Sequence, residues 1–114
     1  MSEKLQNINS KSNILANPST SKVAILFPAA AVDGQKIIVK NGTDKDIFVR
    51  GDVDNTVALA FPTTDGAIGS NAEGTHILAG TAEPYELTKG MTQLSVVASA
   101  ASTGNVSIKV GEGS

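Results

Sequence analysis

His76 is the residue in this 114-residue chain best suited to acid–base chemistry, and the sequence has no other histidine. A histidine activates a serine or threonine only when a third group holds it against that nucleophile. The serines and threonines are scattered along the chain, and no spacing indicates such an arrangement. We therefore interpret His76 as a residue on a sheet face or contact surface and predict no catalytic residue.

The segment from Asp52 to Asn55 begins like a calcium-binding loop, in which alternate oxygens bind a hard cation. Such a loop also needs glycine at its sixth position and glutamate at its twelfth. Val57 and Thr63 occupy those positions here. The segment therefore favours a solvated acidic turn, and we predict no metal site.

Glu83 and Glu86 could form an acid–base pair only if the fold brought their carboxylates together, which a sequence does not specify. We expect both to face solvent. The chain also has no glycine-rich loop followed by Lys-Ser/Thr, the motif that cradles phosphates. The sequence thus predicts a protein that is not an enzyme and has no cofactor.

The composition bounds the possible partners. The formal net charge is −2, and the nine basic residues form no cluster, so nucleic acid is a poor candidate. No long apolar run or secretory signal is present, which predicts synthesis in a cytoplasm and no membrane partner. Aromatic residues are few, so the core must consist of aliphatic side chains, and we expect neighbouring subunits of a homo-oligomer to add stability.

Residues 1–21 differ from the rest of the chain because they are rich in Ser, Asn and Lys. Their few large apolar side chains, the predicted anchors to a partner, are Leu5, Ile8, Ile14 and Leu15. Such a segment cannot bury enough apolar surface to order itself alone. We predict an extended N-terminal arm over 1–21 that docks on a neighbour, and a domain over 22–114 that folds even without residues 1–17.

The domain shows strand patterns throughout and no helical period. Ile37 and Val39 alternate with Lys36, Ile38 and Lys40, and Ile47–Gly51 follows after the turn-forming run 41–46, which predicts a hairpin. The other predicted strands are 23–27, 57–61, 75–79, 84–87, 93–98 and 106–110. We predict an exposed loop over 62–74, which is a second candidate contact with a partner. Turn signals every 8–12 residues or so are typical of an all-β fold, here a single antiparallel β-sandwich or jelly roll.

The C-terminal half also carries a family resemblance. It reads GTAEPYELTKGMTQLSVVA at 80–98 and IKVGEG at 108–113, preceded by VKNGT at 39–43 and IFVRG at 47–51. These strand-and-turn patterns resemble small virion proteins of tailed bacteriophages, over about residues 22–113.

The resemblance implies a structural role as a capsid decoration (cement) or head-fibre subunit. The partners would then be the major capsid protein or other virion proteins, and the location would be the capsid surface. Two alternatives stay open: a tail, neck or baseplate subunit, and a receptor- or carbohydrate-binding module. For the last, Tyr85 is the one polar aromatic residue that could form a sugar platform.

Overall fold

The computed structural model describes residues 12–27, 29–54, 56, 58–62 and 74–110. All regular structure in these ranges is β-strand, and none of it is a helix that could cross a membrane. The strands are β1 (Ser12–Ala16), β2 (Val23–Leu26), β3 (Lys36–Thr43), β4 (Ile47–Asp52), β5 (Thr75–Ile77), β6 (Ala82–Glu86), β7 (Gln93–Ala98) and β8 (Gly104–Val110).

The strands form two antiparallel sheets of four strands each. Sheet A has the order β1-β8-β3-β6, and sheet B has the order β2-β7-β4-β5. The side chains between the sheets are aliphatic, as the composition predicted, and they include Ile37 and Ile108 from sheet A and Ile47 and Leu94 from sheet B. The predicted all-β antiparallel sandwich is confirmed.

The order of pairing defines the variant of the sandwich. The first strand pairs with the last (β1 with β8), and β2 with β7, β3 with β6 and β4 with β5 follow the same nesting. The chain is therefore one long antiparallel ribbon whose successive pairs alternate between the two sheets. This connectivity, two four-stranded sheets from eight strands, is that of a jelly roll.

The predicted hairpin between 36–40 and 47–51 is wrong, although both of its strands exist. β3 pairs with β6 and β8, whereas β4 lies in the other sheet. The buried Asn41 side chain explains the change of sheet, because its amide donates to the carbonyls of Lys45 (2.8 Å) and Ile77 (3.1 Å). Its Oδ1 also accepts from the Thr43 amide and hydroxyl. These bonds hold the turn as a bridge between the sheets.

The strand predicted at 57–61 is also wrong for the residues described there. Residues 58–62 contain no strand but lie over the outer face of sheet B. Leu59 and Phe61 pack there against Phe48 and Val97, which point away from the main core. An apolar run predicts burial, and here residues 58–62 form a covering segment that packs on the sheet without being a strand of it.

Residues 12–16 belong to the predicted arm, yet they form the edge strand β1 of sheet A. The sandwich therefore extends beyond the predicted domain start at Lys22, back to Ser12.

Candidate functional site: the open face of sheet A

The four predicted anchor residues have different locations. Leu5 and Ile8 lie outside the described residues. Ile14 is opposite Ser107 on the outer face of sheet A and is 63% exposed. Leu15 is opposite the buried Val106 and packs against the core. Of the two anchors that the structure describes, Ile14 is available to a partner, while Leu15 is used by the fold itself.

The outer face of sheet A is a broad surface whose side chains come from alternate positions of four strands. Ile38 lies at its centre, 48% exposed, with Lys109 opposite on one side and Pro84 on the other. The next row across the sheet places Ser107, Lys40 and Ala82 side by side. An exposed aliphatic side chain therefore lies among lysines and small residues.

The same face is basic. Lys36 and Lys40 flank Ile38 along β3, Lys109 is its neighbour on β8, and all three lysines are exposed. Glu86, opposite Lys36, is the acidic side chain at the register positions of this face. A chain with a formal net charge of −2 thus places cations around an exposed apolar centre. This surface is suited to a partner that carries both carboxylates and apolar groups.

The centre of the outer face of sheet B is covered by the chain itself, whereas Leu26 on the edge strand β2 is exposed. All six residues of β7 are buried, and the outward-pointing Val97 lies beneath Leu59 and Phe61 of the segment 58–62. Beneath this segment, Arg50 forms a bidentate ion pair with Asp52 (3.0 and 3.2 Å), and the Ser95 hydroxyl donates to the same carboxylate at 2.6 Å. Arg50 also donates to the Ala58 carbonyl oxygen. These polar groups satisfy one another and hold the cover in place.

Backbone contacts fix the segment that follows β1. The Asn17 amide donates to the Gly104 carbonyl oxygen at 2.8 Å, and the Gly104 amide donates to Asn17 Oδ1 at 3.0 Å. The Ser102 amide donates to the Pro18 carbonyl oxygen, and the Ala98 amide donates to that of Ser19. Ile14 therefore lies on a strand whose following segment is tied to the domain.

His76 lies on β5, as expected for a residue on a sheet face. Its Nε2 is 3.1 Å from Asp46 Oδ2, and Phe61 meets its ring edge-on with centroids 5.4 Å apart. The Ala79 amide donates to Asp46 Oδ1, and this bond, followed by the one with His76, lowers the pKa of the Asp46 carboxyl. The described contacts of His76 thus link β5 to the turn before β4 and to the segment 58–62, which is a structural role.

The carboxylates considered as catalytic or metal-binding groups are either hydrogen-bonded to nearby residues or directed to opposite faces of a strand. Glu83 and Glu86 are an odd number of positions apart in β6, so they project from opposite faces of the strand. Asp52 is held by Arg50, and Asp54 accepts from the Thr56 amide and hydroxyl. Among the residues that the structure describes, no three His, Asp or Glu side chains form a group that could hold a metal ion.

Tyr85, the predicted sugar platform, is directed into the molecule. It is half-buried against the core, and its hydroxyl oxygen accepts a 3.0 Å hydrogen bond from the Gly51 amide of the opposite sheet. Its ring is therefore committed to joining the two sheets.

Comparison of the chain with protein-family models, with curated proteins and with solved structures finds no match.

The sequence reasoning did not bring Ile38, Lys40 and Lys109 together on one exposed surface. Their signal was present, since an isoleucine between two lysines on the polar side of an alternating strand is exposed when the other side is buried. That signal could not reveal Lys109, because it becomes a neighbour only through the pairing of β3 with β8.

Proposed function

We propose that this chain is a non-enzymatic structural subunit of a tailed-bacteriophage virion, a decoration subunit that binds the head shell through the outer face of sheet A. The resemblance of residues 22–113 to small virion proteins supports this role. The jelly-roll connectivity agrees with it, since viral capsid proteins use this architecture, but lectin domains and cupins do as well.

The observation that carries the proposal is the contrast between the two outer faces. The chain covers the centre of the outer face of sheet B with its own residues 58–62, whereas at the centre of sheet A it leaves Ile38 exposed among lysines. An exposed apolar centre within a charged rim is the usual composition of a protein-binding surface. The major capsid protein would meet it with an apolar patch flanked by carboxylates.

The mechanism is mechanical rather than chemical. A subunit that spans the junction between neighbouring shell subunits adds buried interface, and an interface of standard size buries about 1,200–2,000 Å² in total. Several copies acting together gain avidity without new kinds of contact. Two contacts predicted from the sequence remain predictions, the arm with Leu5 and Ile8 and the loop 62–74, because residues 1–11 and 63–73 lie outside the described residues.

The first experiment asks where the protein occurs. Virions of the phage that encodes the chain are purified, and the protein is quantified against the major capsid protein by gel densitometry. A decoration subunit occurs in many copies across the shell. A copy number fitting one small ring would indicate the neck, tail or baseplate alternative, and absence from the particle would overturn a virion role.

The second experiment tests the surface. We expect the double variant Lys40→Glu/Lys109→Glu to fold normally, since both side chains are exposed, and to bind shells lacking the protein about tenfold more weakly or worse, because like charges oppose each other across the interface. Lys89→Glu reverses an exposed lysine in a turn outside this face and is the matched control. Equal binding by both variants would rule out sheet A as the docking face.

A further inference from the structure

The free edge of β1 is the least protected sheet edge in the described part of the chain. At the other end of sheet A, β6 carries Pro84 and two glutamates, features that discourage pairing with another strand. In sheet B, β5 has only three residues and β2 only four. β1 has five residues, with no proline, glycine or charge among them.

A hydrogen bond just after the end of β1 shows in which direction the backbone groups of this strand point. Asn17 is opposite Gly104 and donates its amide to that residue's carbonyl oxygen. Along an antiparallel strand, the backbone amide and carbonyl groups of successive residues point alternately to one neighbouring strand and to the other. The backbone groups of Leu15 therefore point to β8, as those of Asn17 do. Ser12, Ile14 and Ala16 therefore direct their amide and carbonyl groups to the free edge, where no described strand pairs with them.

We propose that β1 pairs antiparallel with β1 of a second copy of this chain, about a two-fold axis at Ile14. In this register Ile14 faces Ile14 of the second copy, and Ser12 faces its Ala16. Each facing pair exchanges both backbone hydrogen bonds, so the donors and acceptors of the two edges match completely. The inference concerns self-association and stands independently of the proposed function.

A second copy fits this edge because β1 is complementary to itself. The strand has no charged residue, so two copies of it can pair without electrostatic repulsion. The two exposed Ile14 side chains become cross-strand neighbours and shield each other from water. The nearest lysines at the register positions, Lys109 on β8 of each copy, are three strand spacings apart across the sheet and four residues apart along it. Their separation of about 20 Å exceeds the Debye length of about 8 Å at physiological salt.

The consequence is a continuous sheet across two copies, a closed two-fold dimer. The outer faces of both A sheets then lie side by side on one surface of the dimer. Ile38, Lys40 and Lys109 remain exposed in each copy because none of them lies on the edge strand.

Sedimentation equilibrium of the full chain tests the association with a matched pair of variants. Ile14 and Leu26 are both 63% exposed on edge strands, one in each sheet. We expect a reversible dimer whose dissociation constant rises about tenfold or more in Ile14→Lys, because two ammonium groups then face each other across the axis. Leu26→Lys should change it by less than about twofold. A monomer at all concentrations up to about 1 mM, the weakest binding worth considering here, would overturn the proposal.

Hydrogen exchange of single amides tests the register. The Ile14 amide should be protected at high protein concentration and lose protection on dilution, whereas the Leu15 amide, bonded to β8, should stay protected throughout. Protection of Ile14 that does not change on dilution would mean that another part of the same chain fills the edge, and it would overturn the proposal. Shell binding is measured separately, so failure here leaves the decoration role to its own test.

Discussion

At the residue scale, Gly104 is the first residue of β8 and lies between the end of β3 and the residue that follows β1. Its φ of +119° lies in a region that favours glycine, and a Cβ there would collide with the Gly42 carbonyl oxygen and lie 2.9 Å from Thr43 Cα. Its amide and carbonyl oxygen both bond to Asn17. The side-chain-free backbone at Gly104 thus permits the first and last strands to pair beside the turn that follows β3.

Gly104→Ala should therefore destabilise the domain more than the same substitution at a glycine where the positive φ is the only source of strain. Gly80 is the matched control, since its φ is +79° and a Cβ there meets nothing within 4 Å. We expect urea unfolding to show a loss of about 1 kcal/mol for Gly80→Ala from backbone strain. Gly104→Ala should lose about 3 kcal/mol or more, because backbone atoms must also move. Equal losses would mean that the approach of the three strands is not rigid.

At the scale of elements, the sequence predicts strands better than their partners. Alternation alone places Ile37 and Val39 of β3 and Val106 and Ile108 of β8 on the buried side, and the structure confirms this. Alternation reports which face of a strand is buried, whereas pairing depends on where the chain travels after each turn. For β3, the Asn41 side chain fixes the path of the chain through hydrogen bonds to Lys45 and Ile77, which are 4 and 36 positions away. No local pattern encodes the second of these bonds.

The sequence also did not predict that residues 12–16 form a strand or that residues 58–62 form none, and the reason is related. β1 offers only Ile14 and Leu15 as large apolar residues, and an edge strand needs little apolar surface of its own. The segment 58–62 is apolar enough to resemble a strand, and a short apolar run cannot distinguish a strand from another buried segment. Its role depends on Phe48 and Val97 pointing outward from sheet B, which is a property of the assembled fold.

Leu59→Ala tests whether this segment is part of the folded core. Leu59 is 6% exposed against Phe48 and Val97, so its truncation should leave a cavity and cost about 2–3 kcal/mol in thermal or urea unfolding. Leu78→Ala is the control, because Leu78 is 55% exposed, and it should change stability by less than about 0.5 kcal/mol. Similar small effects in both variants would show that the outer face of sheet B is open in solution. The contrast that carries the proposed function would then be lost.

At the scale of the whole molecule, the candidate site is a difference between two surfaces. The sequence shows Ile38 between lysines, but it does not show that β8 places Lys109 beside them or that residues 58–62 cover the other sheet. Those facts require the complete jelly roll. The contrast between one outer face covered at its centre and one left open at its centre is therefore a property of the fold. The site could be predicted from sequence only in Ile38 and the two lysines beside it on β3.

Two N-terminal deletions separate the sandwich from the predicted arm. Removing residues 1–11 leaves β1 intact, so the free energy of unfolding should change by less than about 0.5 kcal/mol. Removing residues 1–17 takes away β1 and the packing of Leu15 against the core, and we expect a loss of about 3 kcal/mol or more, contrary to the expectation from sequence alone. A 1–17 deletion as stable as the full chain would show that β1 adds nothing to the sandwich.

The shorter deletion then becomes the clean test of Leu5 and Ile8 as anchors. If they bind the shell, the chain lacking residues 1–11 should occupy fewer sites on purified shells at equal concentration while keeping its full stability, because only the contact is removed. The double variant Leu5→Ser/Ile8→Ser, with the segment retained at full length, should reproduce the loss. Unchanged occupancy in both would assign shell binding to the outer face of sheet A alone, with Ile14 as the one described anchor of the original four that a partner can reach.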